Sequence, residues 1–125
     1  MAKLAVTRIV RNGPGGKGLE PCQFISPESV IAGKVKEKVH NFFNDASGQL
    51  SAGVWECSPC TLRLDGYSVD EYCHILTGRV VLTDEDGKRQ SFGPGQSFVV
   101  PKGFRGTWHM PTTTRKYYVI FDGKK

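Results

Sequence analysis

Two groups of residues in this chain could do chemistry. Cys57 and Cys60 stand in Trp55-Glu56-Cys57-Ser58-Pro59-Cys60, the spacing of a dithiol redox pair. Such a pair needs a thiolate of lowered pKa, usually at a helix N-terminus within a βαβ unit. Nothing around these cysteines reads as helical, and a lone Cys-x-x-Cys lacks the second ligand pair of a structural zinc site. A simple turn is the expectation. The second group is aromatic: Trp55, Tyr67, Phe98, Phe104 and Trp108 gather around glycine turns. Aromatic walls with a few convergent polar groups describe a small-molecule site, and they equally describe an ordinary β core.

Short strands must position these residues. From Glu71 to Trp108 the apolar and β-branched runs CHIL, RVVL and SFVV are bounded by TG, DEDG, GPG and PKG, which reads as an antiparallel meander. Before it, LAVTRIV (Leu4 to Val10) is expected as a first strand, followed by the flexible RNGPGGKG. A strand on a glycine hinge suits exchange with a neighbouring subunit. Ser26-Pro27-Glu28-Ser29 resembles a helix start, stopped by Gly33 after barely two turns. In KVKEKVHNFF, Val35, Val39 and Phe43 alternate with Lys34, Lys36, Lys38 and His40, the pattern of a half-buried strand with His40 on its solvated face. Leu50 to Cys57 and Thr61 to Leu64 read as the next two strands. The last, RKYYVIF, sets Tyr117, Val119 and Phe121 against Tyr118 and Ile120. Apolar residues on both faces imply a cover from another sheet or subunit, so a homodimer is expected.

Composition narrows the class. With 125 residues, 38% of them hydrophobic, one domain can bury a real core. Fifteen glycines and seven prolines suit a turn-rich β protein. No apolar run approaches the roughly 18 residues of a membrane span, and the N-terminus lacks an apolar segment of signal-peptide length, so the expected address is cytoplasmic. Four cysteines without an export signal are expected to be reduced. The net charge is +5, but Lys3, Arg8, Arg11, Lys34, Lys36, Lys38, Arg115, Lys116, Lys124 and Lys125 are spread along the chain, as on a solvated face. No nucleic-acid partner is therefore expected, since such partners want clustered charge. An anionic small molecule fits this balance better.

Two spacings carry more than strand propensity. Six residues separate Glu71 from Gly78, and Gly95 is followed after five residues by Pro101, Lys102 and Gly103. They resemble the two motifs of the cupin superfamily, E-(x)6-G and G-(x)5-P-x-G. From Gly53 to Phe121, the phrases GVWECSP, DEYCHILTGRVVLTDEDG, PGQSFVVPKGFRGTW and RKYYVIF look like the small single-domain cupins grouped with ureidoglycine aminohydrolase. The resemblance implies an all-β fold, a double-stranded β-helix or jelly-roll barrel with an N-terminal strand arm and at most short helical turns. Residues 1–33 would be the arm and helical turn, and 34–125 the barrel.

The resemblance also implies an inward-pointing Glu71, which puts Cys73 and Ile75 on its face and Tyr72 and His74 on the other. His109, next to Trp108, would likewise face away. The superfamily's metal-binding histidines are missing. Their places hold Asp65 and Tyr67 (or Leu64 and Gly66) and Gly106, where the loss of a side chain would open space. The aminohydrolase pattern E-x-H-x-x-x-H with a later Gln falls on Asp65, Tyr67, Glu71 and a position at or next to Gly106.

Two readings follow. The first is a binding protein or metal-independent enzyme with a small-molecule ligand held by Trp55, Tyr67, Glu71, Cys73, Phe98, Phe104 and Trp108. Glu71 would be its catalytic residue, a carboxylate whose pKa burial raises, unless an Arg or a hydroxyl pairs with it. No cofactor is needed in this reading. The second is a hydrolase of a ureide-like nitrogen compound in which Asp65, Tyr67 and Glu71 hold manganese or another divalent metal. A purely structural module is a third class, and it predicts no role for Glu71.

Overall fold

The computed structural model describes residues 4–124. Residues 1–3 of the arm and Lys125 of the tail lie outside the described residues. Turn-forming residues cut the rest into eleven strands: β1 (Glu20–Cys22), β2 (Val30–Gly33), β3 (Glu37–Asn44), β4 (Leu50–Cys57), β5 (Cys60–Asp65), β6 (Asp70–Thr77), β7 (Val80–Asp84), β8 (Arg89–Phe92), β9 (Ser97–Val100), β10 (Arg105–Met110) and β11 (Thr114–Phe121). They form a six-stranded sheet, β1-β3-β4-β11-β6-β9, and a five-stranded sheet, β2-β5-β10-β7-β8. Among the described residues every pairing is antiparallel. Strands next to one another in sequence often lie in opposite sheets, which is the winding of a jelly roll.

The core fills the space between the sheets because strand side chains alternate. In β6, Glu71, Cys73 and Ile75 are buried while Asp70 and Tyr72 are exposed. In β11, Thr114, Lys116 and Tyr118 are buried. Ile75, Met110, Val54, Val80 and Val100 have essentially no exposure, and burying each such side chain contributes about 1.5–3 kcal/mol. Two glycines permit close approach between strands. A Cβ on Gly53 of β4 would run into the His40 carbonyl and the Tyr118 hydroxyl.

The second is Gly106 of β10, where a Cβ would overlap the Thr83 carbonyl oxygen of β7. Gly106 therefore brings two strands together and does not open space in a pocket, contrary to the expectation.

The amino-terminal third departs furthest from the sequence reading. Residues 4–10 form no strand within the chain, and Leu4 and Val6 are almost fully exposed. The apolar alternation there has no partner strand to pair with. The segment is tied down further along, where the Arg115 guanidinium donates to the Arg11 carbonyl at 2.7 Å and to Asn12 Oδ1 at 3.2 Å. The helical stretch after Ser26 is one 3₁₀ turn, Pro27–Ser29, and Val30–Gly33 is already a strand. Ser26 makes no side-chain cap; the Ser29 hydroxyl donates back to its carbonyl instead. In β3 an irregularity between Asn41 and Phe43 breaks the alternation, leaving Phe43 more exposed than its place on the Val39 face predicts.

Candidate functional site: a buried ion pair between the sheets

A cavity of about 840 Å³ opens between the sheets. Its walls come from β3, β4, β5, β6, β10 and β11, with the 24–29 segment and the 66–69 loop at its edge. A second hollow, of about 630 Å³ and lined by residues between Pro21 and Lys38, shares only Ile25 and Glu37 with it.

Opposed charges lie in the larger cavity. β6 and β11 are hydrogen-bonded neighbours, and the inner-face alternation of both delivers Glu71 and Lys116 to the same place. Lys116 Nζ donates to Glu71 Oε2 at 2.6 Å, and each side chain is only 5% exposed. The Tyr67 hydroxyl, carried by the loop before β6, donates to Glu71 Oε1. Lys116 Nζ also donates to Cys73 Sγ at 3.4 Å. The ammonium lies over two indole faces, 4.7 Å from the Trp55 ring centre and 4.6 Å from that of Trp108, an arrangement in which ring quadrupoles attract the cation.

These contacts set the charge states. Burial pushes the Glu71 carboxyl up, but the Lys116 ammonium and the hydrogen bonds from Lys116, Tyr67 and Cys73 outweigh it and hold the group below the usual carboxylate range. The expectation of a raised pKa is thus corrected, because a full positive charge lies against the carboxylate. Burial pushes Lys116 down, yet the Cys73, Glu71 and Tyr67 groups around it win and raise it above the ordinary lysine value. Burial and the Glu71 charge push the Tyr67 phenol up, and burial lifts the Cys73 thiol to about 12. At neutral pH the cluster is a carboxylate, an ammonium, a neutral phenol and a neutral thiol. Glu71 has no proton to give, and both of its oxygens already accept hydrogen bonds, so the arrangement favours binding over acid–base work.

Of the residues expected to hold a ligand, Trp55, Tyr67, Glu71 and Trp108 line the cavity. Cys73 sits behind Lys116, Phe98 stacks on Phe92 at 4.5 Å and packs edge-on to Trp108, and Phe104 packs against the core. These three are not among the lining residues. Two buried charged residues of the lining were missed. Lys116, counted among the solvated charges, is 4% exposed; its place two residues before Tyr118 on the same strand face was the available signal. Glu37, at the start of β3, is 4% exposed and accepts hydrogen bonds from Trp55 Nε1 and from the Phe24 and Ile25 backbone, all at 3.0 Å. Its place between Val35 and Val39 on the buried face of the alternating stretch was the available signal.

Asp65, Tyr67 and Glu71 are each engaged by other partners. Asp65 ends β5 opposite Arg105 of β10, where the Arg105 guanidinium donates to its carboxylate. Glu71 and Tyr67 are bonded to each other, and the ammonium of Lys116 lies against Glu71 where a metal would have to approach. Among the described residues no group of three or more His, Cys, Asp or Glu could hold a metal ion. This donor set does not fit a divalent metal.

Cys57 and Cys60 flank the tight β4–β5 turn with their sulfurs 3.9 Å apart. Burial pushes Cys57 up to about 12 and raises Cys60 as well, the opposite of what a reactive thiolate requires. None of the four cysteines is in a disulfide. His40 is partly covered, its Nδ1 2.8 Å from the Glu20 carboxylate.

Two antiparallel sheets wound as a jelly roll around an inward glutamate define a cupin-type barrel. Residues 44–118 match the EutQ-like cupin domain, and the chain belongs to that family. It is similar to a protein of unknown function of the DUF861 family from Pseudomonas syringae pv. tomato, with 25% identity and a TM-score of 0.81 over 90% of this chain and 46% of that one. The chain thus spans less than half the length of that relative. It shares its fold with the EutQ protein of Clostridium difficile, at 21% identity and TM-score 0.61 over 71% of this chain and 64% of that one. The same holds for a putative ethanolamine utilization protein q from Salmonella typhimurium, at 17% identity and TM-score 0.67 over 94% and 93%. A search of the curated proteins found no match. Among the described residues no helix is long and apolar enough to cross a membrane.

Proposed function

We propose that this protein binds a small molecule in the cavity around the Glu71–Lys116 pair. The observation that carries the reading is the pair itself. Two opposite charges with 5% exposure line a cavity of about 840 Å³, although apolar residues of the same volume would hold the sheets together at least as well. A buried pair kept at such a place serves the space it faces. The volume is that of a metabolite site, and the lining combines Trp55, Trp108, Tyr118 and Ile120 with a few fixed polar groups.

The alternative, a manganese-type hydrolase of a ureide-like compound, rests on the family resemblance. The Asp65–Arg105 and Glu71–Lys116 pairs disfavour it. Both readings are tested on untagged protein purified without chelator. A metabolite screen by thermal shift should find compounds that raise Tm, since a ligand at 100 times its Kd adds about 2.7 kcal/mol. Lys116→Met and Glu71→Gln should abolish that gain. Stoichiometric metal lost in Glu71→Ala would overturn the binding reading in favour of the hydrolase.

A further inference from the structure

We propose that residues 23–29 form a gate over this cavity and that the Glu37 carboxylate is its latch; this rests on the small-molecule reading above. The segment leaves β1 in the six-stranded sheet and enters β2 in the five-stranded sheet, so it crosses the open side between the two. Its residues face two spaces in turn. Phe24, Ser26 and Glu28 line the larger cavity, Gln23 and Pro27 line the hollow of about 630 Å³, and Ile25 lines both. A single layer of chain therefore parts the two spaces, with room on either side of it.

Little holds that layer in place. Ile25 packs against the core. Among the described residues, the only hydrogen bonds from residues 23–28 to either sheet are the Phe24 and Ile25 N–H groups donating to Glu37 Oε2, both at 3.0 Å. Glu37 Oε1 accepts the Trp55 indole N–H, also at 3.0 Å. One carboxylate thus joins the crossing segment to the cavity wall. Glu37 is 4% exposed and, among the described residues, takes part in no ion pair. A buried carboxylate is costly unless hydrogen bonds offset it, and two of its three donors come from the segment itself. Releasing Oε2 frees the segment at the loss of those two bonds and the Ile25 contact, a local opening that needs no unfolding of the sheets. Phe24 is the residue the gate turns towards a ligand. Its ring is 70% exposed at the cavity's edge, and an aromatic side chain gains by closing on the apolar surface of a solute.

Two measurements test the gate without a ligand. The first is amide hydrogen exchange by NMR, comparing Phe24 and Ile25 with Tyr118 and Val119 of β11, a strand paired on both sides. In the wild type the two gate amides should exchange at least about tenfold faster than those of β11, as local opening requires. In Glu37→Gln the gate loses a charged acceptor whichever way the amide turns, so the ratio of gate to β11 exchange should rise about tenfold further. The second is quenching by acrylamide, a small neutral solute. The chain's two tryptophans, Trp55 and Trp108, line the cavity and are 8% and 3% exposed, so quenching reports entry. Glu37→Gln should raise it several-fold over the wild type. Phe24→Ala should raise it too while leaving the urea midpoint nearly unchanged, because the ring it removes is mostly exposed. Gate amides that exchange as slowly as those of β11 in the wild type would overturn the proposal, whether or not the Glu37 variant folds. Unchanged quenching in both variants would overturn it as well. Either failure leaves the cavity reading standing; failure of the whole metabolite screen overturns the reading beneath it.

Discussion

Lys116 carries a positive charge into a space otherwise closed by Trp55, Trp108 and Tyr118, and its partner determines the energetics. Removing one member of a buried pair leaves the other charge uncompensated, so Lys116→Met should cost about 3–5 kcal/mol. The double variant Glu71→Gln/Lys116→Met should cost clearly less than the sum of the two singles, as read by urea denaturation. Additive losses would mean that the pair does not act as a unit. The pH dependence has two edges. Glu71 is lowered from 4.5, so its contribution is present above that value and is lost as pH falls below it. Lys116 is raised from 10.5, so its contribution is present below that value and is lost as pH rises beyond it. Stability should hold between these limits, and the double variant should lose less at both edges. Lys116 was legible in principle, since it shares a strand face with Tyr118 and Ile120. A charge at that position reads as solvated unless its partner is known, and pairing across β6 and β11 is a tertiary fact.

Elements that alternate cleanly were readable and those that do not were not. The buried and exposed residues of β6 and β11 follow from a period of two, and so do the bounds of β4 to within the tight turn at Ser58 and Pro59. Phe43 fails because an irregularity in β3 shifts the period, and the LAVTRIV segment fails because alternation does not supply a partner. Gly106 is the instructive case. Its missing side chain looked like room for a ligand, whereas the structure uses it for contact between β10 and β7. Gly106→Ala should therefore destabilise by about 1–3 kcal/mol through overpacking, measured as a lowered midpoint in urea. Gly106→His should do the same and recruit no metal. A stable Gly106→His protein that binds a divalent cation would contradict the strand-contact account.

For the whole molecule, the winding of two sheets was readable from turn spacing and the cupin-like motifs, and the apolar residues on both faces of RKYYVIF led to the expectation of a cover for the outer face. Tyr72, Val99 and Phe121 are exposed on the six-stranded sheet, and Leu4 and Val6 project from the amino-terminal segment. We propose a second copy of the chain as their common cover, because one chain carries both the apolar arm and an apolar face, the self-complementary arrangement that a two-fold contact requires. Sedimentation equilibrium should report a dimer, shifted to monomer by Val99→Lys; a monomeric wild type would contradict this. The central claim is that the space around Glu71 and Lys116 is a ligand site. Its most direct test is a crystal structure of the protein with whichever compound stabilises it most. The account predicts that compound within about 4 Å of Trp55, Tyr67 and Lys116; a compound bound elsewhere, with this cavity left to water, would contradict it.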